Sequence, residues 1–163
     1  MSANAARDVA AQLRLLQQRA ATSAPLAACQ ALGQAAETAV KVKLTSSTHA
    51  ASEPTPSRPG QPPSLVTGTL RRSVRRTPSR LIDEGYALCT VGSVLIYGRV
   101  HEFGPVTIHA RNFPQLGNPE VGFFGRQVTI PRRPWLAPST ELLISSGIAT
   151  RVSVAAWMDA MGI

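Results

Sequence analysis

Acidic residues are scarce in this chain: nine Asp and Glu stand against 17 Lys and Arg, a formal net charge of +8 over 163 residues. Such an excess bears on solubility and partners, not on the fold. Nucleic acid is one obvious acidic partner, and a negatively charged face on a neighbouring protein is an equally good one. Aromatics are also sparse, at 5%, so a core has to rest on Leu, Val, Ile and Ala. The two cysteines, Cys29 and Cys89, lie far apart in apolar settings and read as two buried free thiols of a reducing compartment. No Cys-x-x-Cys occurs and no histidine stands two to five residues from a cysteine, which argues against a structural zinc site. No stretch approaches the ~20 consecutive apolar residues of a membrane span, and the N-terminus lacks a charged-then-apolar leader layout. The expectation is a protein made and kept in a cytosol-like compartment until something packages it. Gly-x-Ser-x-Gly, His-Glu-x-x-His, Walker and Gly-x-Gly-x-x-Gly motifs are all missing, so neither catalysis nor a cofactor is expected.

What the chain does have is a 44% apolar content, 13 prolines and 12 glycines. Its length fits one domain, residues 1–163, able to bury a core without disulfides or metal. Val9, Leu13 and Leu16 recur at helical spacing, with Arg7, Arg14, Gln17 and Arg19 off the stripe. This predicts an N-terminal helical extension over residues 1–24. Thr22-Ser23-Ala24-Pro25 breaks it, since proline is tolerated in a first turn. A second helix follows on Leu26, Cys29, Leu32, Ala36, Val40 and Leu44, with Gly33 as a point of close packing. Residues 52–64, rich in proline, predict an extended arm, either a linker or a segment that docks on a neighbouring subunit.

Thr69 is a candidate cap for one short helical turn, and from Arg72 the pattern becomes strand-like. Asp83-Glu84-Gly85 predicts a turn. Tyr86–Val91 and Val94–Tyr97 read as strands joined through Gly92-Ser93. Residues 105–131 form a long excursion, with strands at Val106–Ala110 and Gln127–Ile130 and a tip carrying Phe113, Phe123 and Phe124. After Pro138-Ser139 a last helix runs to the end on Leu142, Leu143, Ile148, Val152, Val154, Ala155 and Trp157, with a kink at Gly147. The fold class is therefore α+β: N-terminal helices, a small antiparallel β-sheet with a long hairpin excursion, and a C-terminal helix.

Three constellations stand out. The arginines from Arg71 to Arg80 are dense enough to track a phosphate backbone, but they lack aromatics for base stacking and any helix-turn-helix or finger framework. A solvated or subunit-facing basic strand is the alternative. His101-Glu102, beside Tyr97 and Phe103, is the one compact titratable pair flanked by aromatics. A general base needs a nucleophile or an oriented partner, and none is signalled, so the pair reads as the anchor of a turn at a sheet edge. Pro131-Arg132-Arg133-Pro134-Trp135-Leu136-Ala137-Pro138 reads as a stiff connection pinning the last helix to the core, or as an interface anchor.

Taken together, three segments resemble a family. They are Pro59-Gly60-Gln61-Pro62-Pro63 with Thr67-Gly68-Thr69-Leu70-Arg71-Arg72-Ser73-Val74; then Val91-Gly92-Ser93, Tyr97-Gly98 and His101-Glu102-Phe103-Gly104; then Pro131-Arg132-Arg133-Pro134-Trp135-Leu136. In order and spacing, over roughly residues 30–160, they are similar to small siphophage neck proteins, known as tail-completion, head–tail joining or minor tail proteins. Gly98 departs from that family's usual Ala. The resemblance implies a structural virion protein in a closed, six-fold ring around the DNA channel. It also implies neighbours such as a head-completion or stopper protein, a tail terminator or a tail tube protein, with double-stranded DNA passing through. Assembly would take place in the host cytoplasm. The rival expectation is a nucleic-acid-binding morphogenesis protein that uses Arg71–Arg80.

Overall fold

The computed structural model describes residues 3–46, 48, 57–109 and 127–163. Phe113, Phe123 and Phe124, with the rest of the excursion's tip, lie outside the described residues, as do residues 52–56 of the arm. The fold is α+β. Its elements are helices α1 (Ala3–Ala21), α2 (Ser23–Lys43) and α3 (Thr69–Ser73), strands β1 (Val74–Arg76), β2 (Arg80–Asp83), β3 (Tyr86–Leu88) and β4 (Val91–Ser93), helix α4 (Ile96–Phe103), strands β5 (Val106–His109) and β6 (Gln127–Ile130), and helices α5 (Ala137–Ser145) and α6 (Ile148–Met161). The strands form three two-stranded pairs, β1–β4, β2–β3 and β5–β6. No helix among the described residues is long and apolar enough to cross a membrane. The described residues fall into two compact units. One is drawn from Met1–Ala39, Arg75–Gly92 and Thr140–Ile163, the other from Val40–Val74 and Ser93–Ser139.

In the first unit, α1 ends at the break that Thr22 and Pro25 predict. The carbonyl of Ala21, one of the acceptors a helix end leaves free, takes the N–H of Gly85 at 2.9 Å. Gly85 closes the β2–β3 hairpin, whose turn falls on Asp83-Glu84-Gly85 as expected; Asp83 Oδ1 accepts the Glu84 N–H at 2.8 Å. Arg19 Nη1 donates to the Met161 carbonyl at 3.0 Å, tying α1 to the end of α6. The apolar stripe of α1 is not buried: Val9 is 47% and Leu13 56% exposed. The predicted last helix is two helices. Gly147, at φ 70°, ends one and starts the other, a left-handed conformation that costs glycine nothing. Leu142 and Val154 are exposed and Leu143 is buried, so the expected apolar face is only partly covered.

In the second unit the fully buried side chains are Val40, at the C-terminal end of α2, and Val74. Leu44, Leu70 and Trp135 are also buried. The base of the excursion is the predicted hairpin, paired Val106↔Ile130 through His109↔Gln127. Two local expectations are corrected. Thr69 does not cap α3: Gly68, in the left-handed region, occupies the cap position, and Thr67 Oγ1 bonds the Thr69 hydroxyl at 2.8 Å. Val94–Tyr97 is not a strand returning from Gly92-Ser93. Tyr86–Leu88 pairs back onto Arg80–Asp83, Val91–Ser93 pairs with β1, and residues 96–103 are helix. The physical reason lies at Ser93. Its hydroxyl accepts the Leu95 N–H at 3.1 Å and bonds the Ser73 hydroxyl at 2.6 Å, which turns the chain into α4 instead of through a hairpin. The apolar run was misleading because α4 buries Gly98 and Glu102, four residues apart, and exposes Ile96 and Phe103.

Candidate functional site

Most of the described motif residues that the sequence singled out lie in the second unit, and several meet α4; Arg75, Arg76 and Arg80 of the basic stretch, Val91, Gly92, Gly33 and the two cysteines lie in the first. Its helical spacing puts Gly98 and Glu102 on one face and Tyr97 and His101 on another. Glu102 is 4% exposed, and backbone donors satisfy its carboxylate. Oε2 accepts the N–H groups of Trp135 and Leu136, each at 2.8 Å, and Oε1 accepts that of Ala137 at 2.9 Å. These three donors stand where the chain enters α5, so the carboxylate also meets the positive end of that helix. The expectation that His101 and Glu102 anchor a turn at a sheet edge is therefore corrected: both are on a helix, and the Glu102 carboxylate holds the start of another. One residue apart on α4, their side chains leave the helix in different directions.

Trp135 is 3% exposed. Its indole Nε1 donates to the Gly98 carbonyl at 3.0 Å, and its own carbonyl accepts the Ser139 hydroxyl at 2.6 Å. Arg132 Nε donates to the Glu102 carbonyl at 3.0 Å, and the Arg133 N–H to the His101 carbonyl at 2.8 Å. The arm closes on the same segment: Gly60 N–H donates to the Arg132 carbonyl at 3.0 Å, and buried Arg133 donates through Nε to the Ser57 carbonyl at 2.9 Å. Pro62 is buried and Pro59 exposed. Residues 57–64 thus dock on their own chain. Pro134 and Leu136 are half-buried, Gly104 is buried, and Phe103 is 74% exposed.

A cavity of about 250 Å³ opens beside this scaffold, lined by Thr67, Gly68, Leu70, Arg71, Tyr97 and His101 among others. The Tyr97 and His101 rings meet edge to face, 6.5 Å apart. His101 Nδ1 is buried without a hydrogen-bond partner among the described residues. Burial, and secondarily the positive charge of Arg133, lowers the His101 pKa from the usual 6.5. The fold thus favours neutral imidazole, and the unfolded chain binds a proton at higher pH than the folded one. By linkage the His101 contribution to stability is fully present above about pH 6.5 and is lost as pH falls through the range below it. The expected result is that wild type loses more thermal stability than His101→Gln between pH 7.5 and 5.5. Equal losses would mean His101 does not titrate differently in the two states. Among the described residues no cluster of three or more His, Cys, Asp or Glu is placed to hold a metal ion.

Sequence reasoning missed Gly98 as a packing residue, Ser139, and the Ser73–Ser93 pair. The signal for Gly98 was a lone glycine inside an apolar run. A Cβ there would stand 2.8 Å from Leu70 Cδ1 and 3.5 Å from Trp135 Cζ2. Gly98→Ala gains about 1 kcal/mol of helix propensity but overpacks a buried contact, at about 1–3 kcal/mol. We expect a net loss of about 1 kcal/mol in urea unfolding. In a Leu70→Val background, which withdraws the colliding methyl, the same change should stabilise. Additive effects in the double-mutant cycle would disprove the contact.

Compared with family models, with curated proteins and with solved structures, the chain has no match.

Proposed function

We propose that this chain is a structural virion protein of a long-tailed phage, part of the neck that joins head to tail, assembling as a closed ring around the DNA channel. The observation that carries the reading is that the resembling segments, Val91-Gly92 apart, lie in one unit and act there as scaffold. Glu102 holds Trp135, Leu136 and Ala137, Gly98 receives the Trp135 indole, and the Pro-Gly arm bonds Arg132. The residues that carry the likeness are thus spent on shape, as an assembly component requires. Apolar side chains left outside support it further: Val94 is 91%, Ile96 83% and Phe103 74% exposed in the single chain. Burial in a ring, against further copies or the next neck layer, would remove them from water.

The rival reading, a nucleic-acid-binding morphogenesis protein, is favoured by the exposure of Arg71, Arg72, Arg75 and Arg80. Arg76 is engaged elsewhere, with Gln34 at 3.2 Å and Glu37 at 4.0 Å. Two measurements separate the readings. Native mass spectrometry of the purified chain, with imaging of particles lacking it, tests the first: a ring, and separate heads and tails in its absence, are the expected results. Duplex-DNA binding against salt tests the second, where tight binding with a steep negative slope and a persistent monomer would favour the rival.

A further inference from the structure

We propose that Cys29 and Cys89 are a covalent modification site: a thiol pair that closes into an intrachain disulfide when it meets a small-molecule disulfide, stapling α2 to the segment after β3. The two residues are 60 apart in sequence, yet the Cys89 Sγ donates to the Cys29 carbonyl at 3.4 Å. The approach is built into the helix. Gly33, one turn beyond Cys29 on α2, leaves a gap that the Cys89 sulfur fills; a Cβ at position 33 would stand 2.7 Å from that sulfur. Both cysteines are free and only half-buried, so a small oxidant has access. Burial raises the Cys89 pKa, as do its hydrogen bond and charge contact with Cys29, while Arg76 acts in the opposite direction. The Cys89 sulfur thus lies against the Cys29 backbone and interacts with its side chain, which brings the two thiols into one neighbourhood.

The chemistry is thiol–disulfide exchange. One protein thiolate attacks a sulfur of the small disulfide, forming a mixed disulfide and releasing one small thiolate. The second protein thiolate attacks the protein sulfur of that mixed bond, forming Cys29–Cys89 and releasing the second. Two protein thiols are oxidised, the small disulfide is reduced to two thiols, and the two protein protons end on those thiols. In a compartment kept reducing by glutathione the pair stays open, consistent with a chain that folds with both thiols free. The inference does not depend on the function proposed above.

The test is incubation of the folded full-length chain with oxidised glutathione, followed by thiol titration, intact mass and a non-reducing gel. The expected result is loss of both thiols, a mass lower by two hydrogens, and a monomeric band. The melting temperature should rise by about 10 °C, given the long loop closed, and reducing agent should reverse it. Cys29→Ser and Cys89→Ser should each retain one thiol or carry one glutathione, with no rise in melting temperature. Two titratable thiols persisting in the wild-type chain, a glutathione on each cysteine, or a covalent dimer would each overturn the proposal. All three can be read on wild type, so the test survives a variant that fails to fold.

Discussion

Replacing Glu102 by Ala is expected to cost the fold about 3–5 kcal/mol, read as a lowered urea midpoint. The carboxylate is nearly fully buried and accepts three backbone N–H groups from Trp135, Leu136 and Ala137. Truncation removes three charge-assisted hydrogen bonds, each stronger than a neutral one, and strands their donors. A buried unsatisfied donor costs about 1–3 kcal/mol, and the favourable placing of a negative charge at the start of α5 is lost as well. The loss falls short of the full sum because Leu136 and Ala137 are half-buried, so water can reach part of the gap. Against a typical total stability of about 5–15 kcal/mol, this is a large fraction. Glu102→Gln separates charge from shape. Its one carbonyl oxygen can keep the Trp135 and Leu136 donors, but its amide group then faces the Ala137 N–H, donor against donor, so a loss of about 2 kcal/mol is expected. An unchanged midpoint for both variants would show that the carboxylate does not hold the segment. If Glu102 were instead a general base, Glu102→Gln would leave stability intact and remove an activity.

How much of this was legible beforehand depends on where the deciding contact lies. The helix break at Thr22–Pro25, the turn at Asp83-Glu84-Gly85 and the hairpin at the base of the excursion rest on local backbone preferences, and the sequence carries those openly. Gly33 was recognisable as a close-packing point, though not the sulfur that fills it, because Cys89 is brought there by tertiary structure. The segment from Val94 to Phe103 was misread because periodicity presumes that the apolar side is the buried side. Here the buried side carries a glycine and a carboxylate, and only the distant Trp135–Ala137 backbone makes a buried carboxylate favourable. The motif residues themselves were found. Their role was not, since a Glu that accepts backbone N–H groups 33 to 35 residues away leaves no spacing signature.

Trp135→Ala is the second substitution with a large expected effect, a loss of about 3–5 kcal/mol. The sequence left two readings for this side chain, a pin for the last helix or an anchor exposed for a partner, and they predict opposite results in the isolated chain. With 3% exposure, and its indole N–H on the Gly98 carbonyl at 3.0 Å, Trp135 is part of the second unit's own core. Trp135→Phe keeps most of the ring volume but removes the donor, so about 1–2 kcal/mol is expected from the lost bond and the smaller ring together. The gap between the two variants isolates packing from hydrogen bonding. The chain has two tryptophans, so a Trp157→Phe background leaves Trp135 as the sole indole reporter. In the isolated chain its emission should be blue-shifted and poorly quenched by acrylamide, then shift red in urea together with the loss of helix. An anchor reserved for a partner would behave otherwise: its emission would be that of a wetted indole before assembly, and Trp135→Ala would unfold at the wild-type midpoint while failing to enter particles.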